Sequence, residues 1–360
     1  MRPAAFVARA IRFSELQVTH IRDLDVPGTW LTWLPGVDVT LLKEVPQQRE
    51  GRSTTLNAEL PAFEVTGPPG GPLVAVLGGI SATRHVAANE HDRSPGWWDA
   101  IVGPGRAINT NALRVLGVDF LDGGRRDDGL PARTVTTADQ ADAIARVLDE
   151  LGVERLHAFV GASYGGMVAL AFAERHPDRV DRVVAISAPH EPHPMSTALR
   201  GIQRRIVRLG LETGRAYDAL ALARELAITT YRSSEEFAER FDTAPERLTD
   251  NDACFPVEGY LQHHGERFAD RWSAERFLAL SLSGDLHSVN PVAIRTPTVV
   301  VAAEGDAIVP RAQLEYLVAH LGGPARLIDL PSTRGHDAFL TEPRALGLIL
   351  DNALSIQIHS

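Results

Sequence analysis

Cys254 is the only cysteine in this chain of 360 residues. A lone thiol excludes an internal disulfide and a cysteine-rich metal site, suits a reducing, cytoplasmic setting, and is expected to be buried and inert. Positive charge is also scarce. Against 46 Asp and Glu stand 36 Lys and Arg, a formal net charge of −10, so the global field attracts neither nucleic acid nor an anionic membrane. An anionic substrate therefore needs a local positive cluster. No apolar run approaches the ~20 residues that span a bilayer. The histidine pairs His263-His264 and His190-x-x-His193 come without companion ligands, so no metal site is expected. There is no internal repeat and no low-complexity linker. Residues 1–13 carry Arg2, Arg9 and Arg12 with no acidic residue, yet lack the features of a targeting signal and read as a loosely packed arm.

What is present is a chain able to bury a sizeable core, either one large α/β domain with an insertion or two small domains. Short alternating runs between Trp30 and Thr66 predict an antiparallel hairpin. After the turn at residues 67–72 comes Leu73-Val74-Ala75-Val76-Leu77, an unbroken apolar strand of the kind covered on both faces. A loop rich in Gly, Pro, Trp and His runs to about Arg106. Further strands are predicted over Leu113 to Phe120, Val180 to Ser187, Thr298 to Ala302 and Ala325 to Leu330. Helices are predicted over Thr137 to Leu151, Gln313 to Leu321 and Glu342 to Leu354. This alternation indicates a mostly parallel sheet wrapped by helices. From Met195 to about His287 the periodicity turns helical with no convincing β run, for example over Thr197 to Leu211, Tyr217 to Thr230 and Arg271 to Leu282. The expected organisation is an N-terminal arm and hairpin over 1–50, a core over 51–194, a helical cap or lid over 195–287, and the rest of the core over 288–360.

The chemistry concentrates in Gly161-Ala162-Ser163-Tyr164-Gly165-Gly166-Met167. The G-x-S-x-G pattern after an apolar run and before a helical one is what a nucleophile elbow requires. Gly161 and Gly165 lack the Cβ atoms that would clash in such a turn. A serine nucleophile needs a base, and the base an orienting acid, here in the order Ser, Asp or Glu, His. Asp306, after the strand at Val299, and His336, after the strand at Ala325, supply them; Glu304 is the rival acid. Taken separately, Asp306 also reads as a turn or helix-capping residue, and His336 as an exposed loop imidazole. The backbone N–H of Tyr164 and that of Gly79, or its neighbour Gly78, are the expected oxyanion donors.

Four stretches extend the pattern: Gly96-Trp97-Trp98-Asp99 leading to Val102-Gly103-Pro104-Gly105-Arg106-Ala107-Ile108-Asn109-Thr110; the elbow itself; Ala223 to Tyr231 with Val257-Glu258-Gly259-Tyr260-Leu261; and Gly335-His336-Asp337-Ala338-Phe339-Leu340. In these the chain resembles the homoserine O-acyltransferases of methionine biosynthesis, an α/β-hydrolase-fold family using acetyl-CoA or succinyl-CoA. The resemblance runs from about Leu60 to the C-terminus. It implies the triad Ser163, Asp306 and His336, with Arg224 holding the homoserine carboxylate and Asp337 facing its amino group; a guanidinium fork suits a carboxylate. It implies acyl-CoA as co-substrate with no further cofactor, ping-pong kinetics and a homodimer. Departures are Leu77-Gly78-Gly79-Ile80-Ser81 in place of a His-Ala-Leu-Thr-like run, Asn109 in place of aspartate, and Leu121 to Leu130 in place of a Cys, Gly and Thr-rich loop. Arg84, Arg125 and Arg126 are candidates for a succinyl carboxylate, but acetyl is slightly favoured because it needs no extra partner. The alternatives are a serine hydrolase of esters or lactones with the same triad, and an O-acyltransferase acting on L-serine. A non-catalytic binding module would need the triad broken.

Overall fold

The computed structural model describes residues 60–355, and the expectations for residues 1–50 lie outside them. The first described strand, β1 (Phe63–Thr66), is an edge strand paired antiparallel with β5 (Arg114–Val118). The rest of the predicted Trp30 to Thr66 hairpin lies almost wholly outside the described residues. Between them run β2 (Leu73–Leu77) and two short strands, β3 (Val102–Gly103) and β4 (Ile108–Asn109), which pair with each other inside the Trp-rich loop. Then follow α1 (Thr137–Glu150), β6 (Ala158–Ala162), α2 (Tyr164–Arg175) and β7 (Val183–Ile186). The seven-stranded sheet is completed by β10 (Thr298–Ala303) and β11 (Ala325–Leu330), in the order β1-β5-β2-β6-β7-β10-β11, and every pair but the first is parallel.

Alternation along the strands builds two apolar cores, one on each face. Leu73, Ala75, Phe159, Val183 and Val300 pack with α1 and α2. Val74, Val76, Val160, Val184 and Val301 face the other way, onto Trp98, Ile101 and the closing helix α10 (Pro343–Ser355) through Leu346 and Leu350. A side-chain period of two fixes this division, and a register slip of one residue would exchange the faces. The helix α1 begins where Thr136 and Asp139 form a reciprocal capping box. Of the predicted strand over Val180 to Ser187, Val183 to Ile186 form β7; Ser187 takes φ 48°, which ends the extended run at its carboxyl end, and Val180 makes only an isolated bridge to Leu156.

Between β7 and β10 the chain forms α3 (Pro194–Glu212), α4 (Ala216–Tyr231), α5 (Ser234–Arg240), α6 (Pro256–Ala269) and α7 (Ala274–Asp285). Helices α3, α4, α6 and α7 share a core of their own around Val207, Leu220, Ala223, Phe268 and Phe277. The expectation of no strand here fails in one place: β8 (Arg247–Leu248) and β9 (Ala253–Cys254) form a short antiparallel ribbon. Its turn is closed by Thr249 and Asp252, whose side chains bond local backbone, a signal too short for periodicity to register. Cys254 is therefore half-buried on this ribbon, where Arg247 Nη2 donates to its sulfur at 3.0 Å, and is not the core thiol expected. After β10 the helix α8 (Arg311–His320) precedes β11, and α9 (Ala338–Thr341) precedes α10. No helix among the described residues is long and apolar enough to cross a membrane.

Candidate active site

Four loops leave the carboxyl ends of β2, β6, β10 and β11 on the same edge of the sheet, the edge where parallel α/β folds place their ligands. The turn from β6 into α2 puts Ser163 at φ 54°, ψ −119°, a strained conformation for a residue with a Cβ. Surrounding bonds hold it: Ser163 N–H donates to Ile186 O at 2.8 Å, and Gly165 N–H to Gly78 O at 2.9 Å. A Cβ on Gly161 would collide with the Gly165 carbonyl, and one on Gly165 with the Leu77 carbonyl. Both glycines are thus fixed by close backbone approach.

The Ser163 hydroxyl lies 2.7 Å from His336 Nε2, and His336 Nδ1 lies 2.8 Å from Asp306 Oδ2. A carboxylate only accepts, so Nδ1 carries the proton and Nε2 is free to accept from the serine. The other Asp306 oxygen accepts from the N–H groups of Ile308 and Val309, each at 2.9 Å. The turn-forming and base-orienting readings of Asp306 therefore both hold, one oxygen serving each. Glu304, the rival acid, is exposed. His336 is 4% exposed; burial works to lower its pKa, but the charge and hydrogen bond of Asp306 outweigh burial and raise it above its ordinary value.

The serine opens on a cavity of about 210 Å³. Gly79 and Tyr164, the expected oxyanion donors, both line it, with Trp97, Tyr231, Leu280 and Phe339 among its walls. The Tyr164 ring turns away into the core, edge-on to Phe120 at 4.8 Å. Its hydroxyl shares a 2.6 Å hydrogen bond with Ser283 of α7 and accepts from Gln140 Nε2 at 3.3 Å. Burial pushes the phenol up to about 12, so it stays neutral and anchors the residue that follows the serine. The paired tryptophans stack at 4.9 Å, and Trp98 Nε1 donates to Phe339 O at 3.0 Å, tying the Gly-Trp-Trp loop to the segment after His336. Asn109 has a local task, accepting from the N–H groups of Gly105 and Asn111 at 3.0 Å.

Arg224 and Asp337 also line the cavity. The Arg224 guanidinium sits over the rings of Tyr231 and Phe268 at 5.4 and 5.0 Å, an orientation set by cation–π attraction. Burial raises the Asp337 carboxyl above its usual range, opposed by the charges of Arg232, His336 and Arg224. The three arginines considered for a succinyl group are engaged elsewhere: Arg84 pairs with Asp119, Arg125 with Glu275, and Arg126 with Asp128. None of them lines the cavity. A cation that sequence reasoning passed over, Arg200, does. It lies on α3 on the buried stripe of Ser196, Gln203 and Val207, and that spacing was its only signal. Its Nε donates to Asp285 Oδ1 at 2.6 Å, and Arg204 holds the second oxygen of the same carboxylate. Arg200 and Arg204 thus share the Asp285 carboxylate, one oxygen each.

Residues 76–343 match the family model described as the alpha/beta hydrolase fold. A homoserine O-succinyltransferase of Xanthomonas campestris pv. campestris is 46% identical over 337 residues, which is 93% of this chain and 87% of that protein. A serine O-succinyltransferase of Litchfieldella anticariensis is 33% identical over 306 residues, 73% of this chain and 83% of that one. Among solved structures, a homoserine O-acetyltransferase from Bacillus anthracis superposes with a TM-score of 0.73 at 19% identity, covering 83% of this chain and 92% of that one. The motifs, the sheet and these likenesses together make the chain a member of the homoserine O-acyltransferase family within the α/β-hydrolase fold.

Proposed function

We propose that this protein transfers a succinyl group from succinyl-CoA to the hydroxyl of L-homoserine through an acyl-Ser163 intermediate. The observation that carries the chemistry is the hydrogen-bonded chain Ser163–His336–Asp306 opening on a cavity with Arg224 and Asp337 in its wall. His336 Nε2 takes the Ser163 proton as the oxygen attacks the thioester carbonyl. The N–H groups of Tyr164 and Gly79 hold the oxyanion, each such donor being worth about 3–4 kcal/mol. The C–S bond breaks, and the sulfur of coenzyme A leaves with the proton held by His336. The homoserine hydroxyl then gives its proton to His336 and attacks the acyl-serine; the C–O bond to Ser163 breaks and the serine regains its proton. Asp306 keeps the imidazole in the productive tautomer throughout.

Charge bookkeeping supports succinyl over the slightly favoured acetyl. A zwitterionic acceptor uses Arg224 for its carboxylate and Asp337 for its ammonium; Arg200, which shares Asp285 with Arg204, is the other arginine lining the cavity and can meet a second carboxylate, which succinyl has and acetyl lacks. The 46% identical relative named for succinyl transfer points the same way. Steady-state assays of Arg200→Leu test it: kcat/KM with succinyl-CoA should fall roughly tenfold to a hundredfold, as for loss of one desolvated charge partner, with acetyl-CoA little affected. An equal fall with both donors would return the choice to acetyl.

A second acceptor is favoured by one observation, the relative named as a serine O-succinyltransferase; competition between L-serine and L-homoserine for the acyl-enzyme decides it. Simple ester or lactone hydrolysis would leave Arg224 and Asp337 without a task. The same reading includes a homodimer. On α3, Met195, Ile202 and Leu209 are 60%, 47% and 61% exposed at seven-residue spacing, a seam for a second copy. Sedimentation of the wild type and of Ile202→Asp checks it, with a dimer that dissociates in the variant as the expected result.

A further inference from the structure

The reaction just described gives no task to Glu236, a carboxylate on α5 whose side chain is only 4% exposed. Three guanidiniums converge on it. Arg232 Nη1 donates to its two oxygens at 3.2 and 3.3 Å, while Arg334 and Arg240 form ion pairs with it at 3.3 and 3.5 Å. Arg232 also reaches in the opposite direction, its Nε lying 3.2 Å from Asp337 Oδ2. The local sequence sets up this bridge. Ser233 caps α5 by accepting from Glu236 N–H at 3.1 Å, and its hydroxyl donates to the Thr333 carbonyl. The start of α5 and the joint before it are therefore fastened to the loop carrying His336 and Asp337 at three points, through Ser233, through Arg232 and through the Arg334–Glu236 pair.

We propose that Arg232 is a positioning residue for the acceptor: anchored by Glu236, it holds the Asp337 carboxylate in one orientation toward the cavity, ready to receive the ammonium of an amino acid. This rests on the acceptor role given to Asp337 above. Arg232 takes Oδ2 and leaves Oδ1 for the incoming cation. Glu236 sets the strength of that contact. Without it, Arg232 would be free to turn its full fork onto Asp337 and neutralise the carboxylate; bound to both Glu236 oxygens, it offers Asp337 only its Nε edge. Burial would otherwise drive Asp337 toward its neutral form, and Arg232 is the strongest of the charges opposing this. The acyl donor makes no use of the bridge, so its loss acts on the acceptor.

Steady-state kinetics with varied L-homoserine at saturating succinyl-CoA, on wild type, Arg232→Ala, Arg232→Lys, Asp337→Asn and the double variant Arg232→Ala/Asp337→Asn, test the proposal. Arg232→Ala should raise the acceptor KM about tenfold or more, the scale of a lost buried charge partner, with kcat falling much less. Arg232→Lys should recover part of that loss. Because Arg232 acts through Asp337, the double variant should be no worse than Asp337→Asn alone, a coupling that independent sites lack. An unchanged acceptor KM in Arg232→Ala, or single-variant penalties that multiply in the double variant, would overturn the proposal. Acylation of Ser163 without acceptor is measured in parallel. Its failure in the wild type would sink the transferase reading itself, whereas normal acylation and transfer with an indifferent Arg232 sinks only this inference.

Discussion

At Ser163, Asp306 and His336 the neighbours fix each side chain: Ser163 faces His336 Nε2, His336 Nδ1 faces one Asp306 oxygen, and the other Asp306 oxygen is held by the N–H groups of Ile308 and Val309. Ser163→Ala should lower coenzyme A release by about a millionfold, and Asp306→Asn by about ten-thousandfold, the scale seen when a triad loses its nucleophile or its tautomer control; stopped assays of free thiol check both. Acylation needs neutral His336, whose pKa is raised above 6.5. The donor kcat/KM should therefore fall as pH drops through a midpoint above that value, and level off well above the midpoint. A pH–rate profile with its midpoint clearly below 6.5 would contradict the Asp306–His336 pairing. The stability linkage has the opposite sense. A raised histidine pKa stabilises the fold fully below the unfolded value, and this contribution is lost as pH rises through the folded one. The order serine, acid, histidine was legible because each residue type lies in a loop after its own strand, but order alone left Glu304 beside Asp306; the hydrogen bond from His336 Nδ1 to Asp306 separates them. Arg200, Arg232 and Glu236 were not legible. An arginine on an amphipathic helix reads as solvent-facing until the helix's partner is known, and a cation's role depends on which carboxylates are already taken.

The elements that position the site are the sharp turn after β6 and the Trp-rich loop after β2. Gly161→Ala should cost at least about 1–3 kcal/mol, because the added Cβ overlaps backbone that cannot retreat; urea unfolding measures it. Trp98→Ala removes a fully buried ring and the hydrogen bond to Phe339, with an expected cost of about 3–5 kcal/mol and a loss of activity from the loosened His336 segment. A Trp98→Ala protein as stable as wild type would show that the loop does not brace the site. Strands covered on both faces announce themselves as unbroken apolar runs, which is why β2 and β10 were readable nearly to the residue; β11 is an edge strand with Arg326 and Asp329 exposed, and that argument does not extend to it. The ribbon β8–β9 and the pair β3–β4 were not, because two-residue strands held by turn hydrogen bonds carry no periodicity. At α5 and α6, helix was foreseen only as part of a helical stretch.

Across the molecule, the loops at one edge of the sheet bring Ser163, His336 and Asp306 together, and the helices between β7 and β10 add Arg200, Arg224 and Tyr231 to the cavity wall. Transfer in water requires that the second half-reaction outrun hydrolysis. An oriented acceptor can contribute roughly 7–11 kcal/mol of that advantage, and the helices over the serine are the part of the fold that can exclude solvent. The acyl-enzyme should accordingly survive for many turnover times without L-homoserine and collapse on its addition. The measurement that tests this most directly is intact-protein mass spectrometry after brief exposure to succinyl-CoA, with and without L-homoserine. The account predicts a gain of one succinyl group located on Ser163, absent from Ser163→Ala and discharged by the acceptor. Coenzyme A released at the normal rate by Ser163→Ala, or a wild-type protein that never gains mass while product forms, would contradict it.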